Sequence, residues 1–170
     1  KYQQNLKTIL KQINQIENLV NEFSDFARMP KPLLKKNNLN YVIKDNISLV
    51  SKIDSSIKIR LISHLKKDVL IKFDNEQFNR LFFNLIKNSV ESIQEKAQKD
   101  SKTRKNIDIE IRQRRHYINI NLLDTGLGFK GNKTKDLIKP YFTTKTKGTG
   151  LGLSIVDKII SDHNGSIKFL

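Results

Sequence analysis

Two asparagines four residues apart, an aspartate that runs into a pair of glycines, and a second glycine-rich stretch stand out in this 170-residue chain as residues that could do chemistry. Asn84 and Asn88 lie in a segment of helical periodicity, so both project from one helix face. An amide oxygen is a hard neutral ligand of the kind Mg²⁺ accepts, because that ion keeps several waters and draws further oxygens from phosphates. Glu91 shares the face, within reach of a metal-bound water, and Ser92 follows it. Asparagines are also ordinary helix surface, but Leu85, Ile86 and Val90 surround Asn88 with core residues. Asp124-Thr125-Gly126-Leu127-Gly128 ends an alternating segment. A buried carboxylate is costly unless it meets a donor, and glycine lets backbone pass where a Cβ would collide. A plain turn at a strand end explains these glycines and leaves the aspartate unexplained. Gly148-Thr149-Gly150-Leu151-Gly152-Leu153 opens a final helix, whose bare amides and dipole attract phosphate. Before it runs Pro140-Tyr141-Phe142-Thr143-Thr144-Lys145, with Lys147 just beyond. Lys145 and Lys147 are either point charges for terminal phosphates or simple solvated lysines. Tyr141 and Phe142 read as aromatic anchors of a lid. In this order the three groups describe an ATP site, although each alone is weak.

Competing phosphate-binding patterns fail. No G-K-[ST] ends the glycine loop, so it is not a Walker loop. No His-Arg-Asp or Asp-Phe-Gly follows, which excludes a eukaryotic-type protein kinase. The loop does not follow a first strand with an acid ~20 residues later, as a dinucleotide fold requires. Lys plus Arg number 32 against 17 Asp plus Glu, a net charge of +15. Such a field attracts polyanions, nucleic acid and ATP alike. The basic residues are scattered, and no zinc-finger spacing or aromatic nucleic-acid motif accompanies them, so most read as solvated surface and no nucleic acid is expected. The absence of cysteine excludes disulfides and thiolate metal sites and suits a reducing compartment. The polar start shows no secretory pattern, and no apolar run is long enough to cross a bilayer.

The elements that must position these groups are legible as periodicities. Leu6, Ile9, Ile13, Ile16, Val20, Phe23 and Ala27 alternate at steps of three and four, a heptad seam suited to a bundle or coiled coil. Met29-Pro30-Lys31-Pro32 ends it, because proline bars helical geometry before it and donates no backbone hydrogen bond. Leu39 to Lys52 reads as a short amphipathic helix, residues 57–61 and 69–73 as strands, and Asn75 to about Ala97 as a long helix. Residues 96–106 are polar loop. Residues 107–111 and 118–122 alternate with period two, an antiparallel hairpin. Residues 125–150 form a long functional loop, Leu151 to about His163 the last helix, closed by Asn164-Gly165, and Ser166 to Leu170 starts a strand.

With these motifs in place, the chain resembles the catalytic ATP-binding domains of sensor histidine kinases, of the GHKL or Bergerat type. Asn84 and Asn88 match the N box, Asp124 to Gly128 the first glycine box, Pro140 to Lys145 the F box, and Gly148 to Leu153 the second glycine box. Residues 23–32 are similar to the helix end and linker of nitrogen-regulation kinases of the NtrY/NtrB type. The wider superfamily holds gyrase, Hsp90 and MutL ATPases; Asn84, where hydrolytic members carry a glutamate base, points to the kinase branch.

The resemblance implies an α/β (α+β) two-layer sandwich with a mixed, mostly antiparallel sheet, preceded by one long helix of a dimerisation hairpin. It divides the chain into residues 1–29, the second hairpin helix; 30–38, a linker; and 39–170, the catalytic domain, short of its final strand. It implies that Asn88 coordinates Mg²⁺ and that Asn84 organises the ion's water shell. Asn84, Asn88 and Lys145 are then the catalytic set. Asp124 accepts a hydrogen bond from the adenine amine. Asn88, Glu91, Ser92, Asp124, Gly126, Gly128, Thr144, Lys145, Lys147, Gly148, Thr149, Gly150, Leu151, Gly152 and Leu153 form the ATP-binding set. The implied function is transfer of the γ-phosphoryl group to a histidine for relay to an aspartate of an NtrX-like response regulator. The parent protein would be a membrane-anchored homodimer, joined through the N-terminal helix, with this part cytoplasmic and not touching the membrane. His64, His116 and His163 read as structural or surface residues, so the acceptor histidine is not expected here. Lys139 departs from the glutamate usual before the F-box proline, which bears on how the lid is anchored. An ATPase switch of the same superfamily and a basic nucleic-acid-binding module are the alternatives.

Overall fold

Periodicity and proline together set the first element, α1, which spans Tyr2–Ala27 and stops just before Met29-Pro30. In this computed structural model the residues described are 2–170 except 53, 66–68, 130–135, 144, 146 and 147, with backbone only at 15, 18 and 25. Along the heptad seam, Leu6, Ile9, Ile13, Ile16, Val20 and Phe23 are between 44% and 61% exposed. Towards the end of the helix, Leu19 and Phe26, with Met29 beyond, instead pack against the core of the remaining chain.

Within the segment between prolines and second helix, Lys35–Asn37 form a short strand, β1. It pairs antiparallel with β3 (Ile71–Phe73), Lys35 opposite Phe73. Between them lie α2 (Leu39–Ser51) and β2 (Lys58–Ser63). Asn38 caps α2 by accepting a hydrogen bond from the Tyr41 amide. The long helix α3 (Asn75–Lys99) follows, then the hairpin β4 (Asn106–Gln113) and β5 (Ile118–Asp124), and finally α4 (Gly152–Asp162).

The main sheet has the order β2-β4-β5, parallel between β2 and β4 and antiparallel between β4 and β5. A parallel pair needs a crossover, which the segment containing α3 supplies. Strict alternation divides the faces of β4. Ile107, Ile109 and Ile111 are fully buried, whereas Asp108 and Glu110 turn outward to Arg60 and Arg112. The Arg60 guanidinium beside Asp108 holds that carboxyl below the usual aspartate range. On the buried face lies a helix layer in which α3 contacts both α2 and α4. Val42, Ile43, Phe82, Ile86, Ile93, Val156 and Ile159 fill the interface with the sheet.

Besides β1, which lies in the segment read as linker, the C-terminal residues differ from the sequence reading. Residues 166–170 carry no strand: Ile167 packs on the core and Phe169 meets Phe129 edge-on, so their alternation serves side-chain anchoring rather than a ladder. Asn164-Gly165 closes α4, with Asn164, at φ 58°, in the left-handed conformation and the Gly165 amide on the Ile160 carbonyl.

Asp74 ties the layers together. Its carboxylate caps α3 through the Gln77 amide at 3.0 Å and holds the Leu33 amide at 2.7 Å. Its own amide donates to His163 Nε2 at 3.0 Å. Burial pushes this carboxyl up, but the amides of Gln77, Leu33 and Glu76 outweigh it and hold it below the 3.8 of a free aspartate. Its contribution is therefore complete above that value and is lost as pH falls through the lower folded one. Asp74→Ala is expected to cost ~1–3 kcal/mol at neutral pH, from the lost cap and an orphaned Leu33 amide. Urea unfolding of both proteins at pH 7 and near pH 3 checks this; the gap should narrow in acid.

Candidate nucleotide site

The middle of α3, the end of β5 and the start of α4 converge. Gly152, the first residue of α4, stands against both asparagines: a Cβ there would lie 3.4 Å from Asn84 Oδ1 and 3.6 Å from Asn88 Nδ2. Asn84 donates its amide hydrogen to the Arg80 carbonyl at 2.9 Å, which fixes its oxygen towards Gly152. Asn88 Oδ1 accepts from the Lys145 ammonium at 3.4 Å, and the same ammonium lies 2.5 Å from Glu91 Oε2. The α3 face thus presents an amide oxygen and a carboxylate that already hold a cation.

At the end of β5, each Asp124 oxygen has one donor. Oδ1 accepts from the Gly126 amide and Oδ2 from the Ser89 hydroxyl, both at 2.9 Å. Contrary to the expectation of burial, Asp124 is exposed. It is oriented by these two bonds while its remaining lone pairs stay open to a ligand donor. Ser92 accepts from the Leu127 amide at 3.0 Å, and Lys96 donates to the carbonyls of Thr125 and Gly126 at 3.0 and 3.1 Å. Gly126 is required by contact, since a Cβ would fall 2.3 Å from Ser92 Oγ and 2.9 Å from Asp124 Oδ1. Gly128 follows at φ +66°.

The second glycine stretch is shaped by Tyr141. Gly150, at φ +72°, lies so close to the Tyr141 backbone that a Cβ would sit 2.5 Å from its carbonyl carbon. Tyr141 itself adopts φ 66°, an uncommon conformation for an aromatic residue. Its ring stacks on Phe23 of α1 at 6.2 Å, and the Thr149 hydroxyl donates to Glu22 of α1 at 2.5 Å. The contact of Tyr141 is therefore made to α1, and both rings remain exposed, Tyr141 at 54% and Phe142 at 41%. Lys139, the departure from the F-box pattern, pairs with Asp136 at 2.6 Å and accepts the Phe142 amide at its carbonyl. Gly148 closes a turn onto the Lys145 carbonyl at 3.3 Å.

The Leu151 side chain is fully buried, so only its backbone faces a ligand; Leu153 is half-buried. Leu151 sits at the α4 N-cap without a side-chain bond to the first turn, which leaves helix-start amides for an anion. Thr144 and Lys147 lie outside the described residues. Sequence spacing misses Ser89, Lys96 and Glu22, whose partners are 35, 29 and 127 residues away. Only the position of Ser89 directly after Asn88 hints at its place. A groove of about 340 Å³ between α2 and α3, lined by residues such as Asn46, Asn79 and Phe83, meets this constellation only at Arg80, whose carbonyl holds Asn84.

Among the described residues no group of three or more His, Cys, Asp or Glu stands together to hold a metal. A metal at Asn88 must take most of its ligands from water and phosphate, as Mg²⁺ does. The donor set fits that ion: a cationic ammonium is already drawn to the same amide oxygen. No helix among the described residues is long and apolar enough to cross a membrane.

Residues 73–169 match the family described as histidine kinase-, DNA gyrase B-, and HSP90-like ATPases. The chain is 32% identical over 161 residues to nitrogen regulation protein NtrY of Azorhizobium caulinodans, a match spanning 95% of the chain and 20% of that protein. Among solved structures, the catalytic domain of the histidine kinase ThkA in a nucleotide-free form superposes with TM-score 0.63 at 26% identity. That match covers 76% of this chain and 80% of that one. ThkA in complex with the response regulator protein TrrA shares the fold at TM-score 0.72 and 21% identity, covering 97% of this chain and 46% of that one.

Proposed function

We propose, since the chain belongs to the family of histidine kinase-, DNA gyrase B- and HSP90-like ATPases, that it is the ATP-binding catalytic part of a two-component sensor histidine kinase. The observation that carries this reading is the approach of Gly152 to both Asn84 and Asn88, which joins a phosphate-binding helix start to a metal-binding helix face. Residues 39–170 act as the catalytic domain, 30–38 as the linker and 1–29 as the second helix of a dimerisation hairpin. The exposed seam of α1 supports that role.

In this reading Asp124 takes the adenine amine, steadied by Ser89 and the Gly126 amide. Asn88 holds Mg²⁺, Asn84 orders its waters, and Lys145 and Lys147 meet the terminal phosphates. Amides of residues 148–153 bind phosphate at the start of α4. Bound Mg²⁺ supplies neutralisation of phosphate charge. The protein's own part is positioning: it aligns the γ-phosphoryl group for an incoming histidine and offers no base at position 84. An amide cannot take a proton from water as a glutamate would, which favours transfer over hydrolysis. The parent protein transfers the group to a histidine and then to an aspartate of a response regulator, one of NtrX type given the likeness to NtrY. It is a membrane-anchored homodimer with this part in the cytoplasm.

Calorimetric titration tests the reading. Mg-ATP is expected to bind at least about tenfold tighter than Mg-GTP, because one hydrogen bond to a charged carboxylate is worth ~1.5–3 kcal/mol. Equal affinities would overturn the base contact. Salt-sensitive binding of nucleic acid that ATP leaves unchanged would favour the basic-module reading instead.

A further inference from the structure

The ammonium of Lys145 occupies the place where the metal is needed. It lies 3.4 Å from Asn88 Oδ1 and 2.5 Å from Glu91 Oε2. Lys87 stands off at 4.0 Å from the second oxygen of Glu91. The contact is built from the backbone outward. The Lys145 amide donates to Thr143 Oγ1 at 3.1 Å, and its carbonyl accepts the Gly148 amide at 3.3 Å. The ammonium is therefore coupled to the turn that leads into the phosphate loop. A divalent ion bound to that amide oxygen would stand within a few ångströms of the ammonium, where the two cations repel.

We propose that Lys145 is a built-in occupant of the metal position, which makes metal binding depend on nucleotide. Without nucleotide, the ammonium neutralises Glu91, fills the coordination space of Asn88 Oδ1 and keeps free divalent cations out. A metal that arrives with phosphates brings new oxygens to which the ammonium can move, so it yields the amide oxygen at no loss of partners. The Lys145 side chain then passes from α3 to the phosphates. Lys145 thus has two posts, and its first makes free Mg²⁺ a poor ligand of the empty protein. This rests on the reading of Asn88 as the metal ligand.

The test uses Mn²⁺, an oxygen-seeking ion visible by electron paramagnetic resonance, titrated into the chain without nucleotide. Lys145→Met is expected to bind Mn²⁺ at least about tenfold tighter than the unaltered chain. Lys145→Arg, which keeps a cation, should resemble the unaltered chain, and Lys145→Met with Asn88→Ala should lose the gain. Circular dichroism confirms that each variant is folded. Lys145→Met binding within about twofold of the unaltered chain overturns the proposal, provided Mn²⁺ binding in the presence of ATP still depends on Asn88. If Asn88→Ala leaves ATP-dependent Mn²⁺ binding unchanged, the metal assignment itself fails and the proposal falls with it.

Discussion

Replacing Asp124 by asparagine is expected to weaken ATP binding by about tenfold to a hundredfold and to erase the preference for ATP over GTP. The carboxylate stands exposed at the end of β5 with one donor on each oxygen, Gly126 N–H on one and Ser89 O–H on the other. Each oxygen keeps a lone pair for a ligand. Asparagine preserves the shape and keeps both orienting bonds only with its oxygen on the Gly126 amide and its NH₂ on the Ser89 hydroxyl, where the bond reverses. The side chain then loses one acceptor and the charge that strengthens a bond to a base amine. A charge-assisted bond is worth ~1.5–3 kcal/mol, which sets the expected range. Titration of ATP and GTP into the Asp124→Asn protein, with thermal melts to confirm the fold, decides the matter. An unchanged ATP-to-GTP ratio would remove Asp124 from base recognition.

The legible parts of the molecule are those whose own residues carry a period. β4 and β5 follow from alternation, α3 and α4 from helical stripes, and α1 ends where Pro30 makes it end. The residues of the heptad seam are 44% to 61% exposed from Leu6 to Phe23. β1 escapes detection because Lys35-Lys36-Asn37 has no apolar alternation, and pairing with β3 alone makes it a strand. The opposite error arises at residues 166–170, where alternation is real but no ladder partner is engaged among the described residues.

The site divides in the same way. Spacing puts Asn84, Asn88 and Glu91 on one face because the helix fixes their relation, and the glycines mark where backbone must approach closely. Periodicity says nothing about what crosses from another element. Ser89 reaching Asp124, Lys96 reaching the Thr125 and Gly126 carbonyls, and Glu22 reaching Thr149 all depend on packing between segments far apart in the chain. The burial expected for Asp124 errs for a related reason. A strand's last residue can leave the sheet's buried face, and the carboxylate meets its donors at the rim.

Given labelled ATP and Mg²⁺, the chain alone is expected to form no phosphohistidine, whereas a histidine-bearing hairpin helix supplied in trans should become labelled. The sheet register explains the first half. Asp124 pairs with Ile107 at one end of the β4-β5 hairpin, while Gln113 pairs with Ile118 at the other. His116 lies in the turn at that far end, and His64 follows Ser63, which pairs with Ile111. At about 3.3 Å per residue, the six steps from Ile118 to Asp124 hold His116 roughly 20 Å from the Asp124 end of the sheet. His163 has both ring nitrogens engaged: Nδ1 is 2.7 Å from the Ile159 carbonyl and Nε2 accepts the Asp74 amide. Its nucleophilic lone pair is therefore occupied in the structural joint between α3 and α4, and α1 contains no histidine. The second half depends on the metal-binding face. Asn88→Ala should cut labelling of the added hairpin by about a hundredfold or more, the scale on which a preorganised electrostatic group contributes to a transfer step. Acid-labile, alkali-stable label on the hairpin alone, lost in the Asn88→Ala protein, is the expected pattern. Label on His64, His116 or His163 of the isolated chain would mean that the γ-phosphoryl group leaves the site by a route the sheet geometry does not provide. Full labelling with Asn88→Ala would detach the metal from that asparagine and leave Glu91 as the acid on α3 able to hold it.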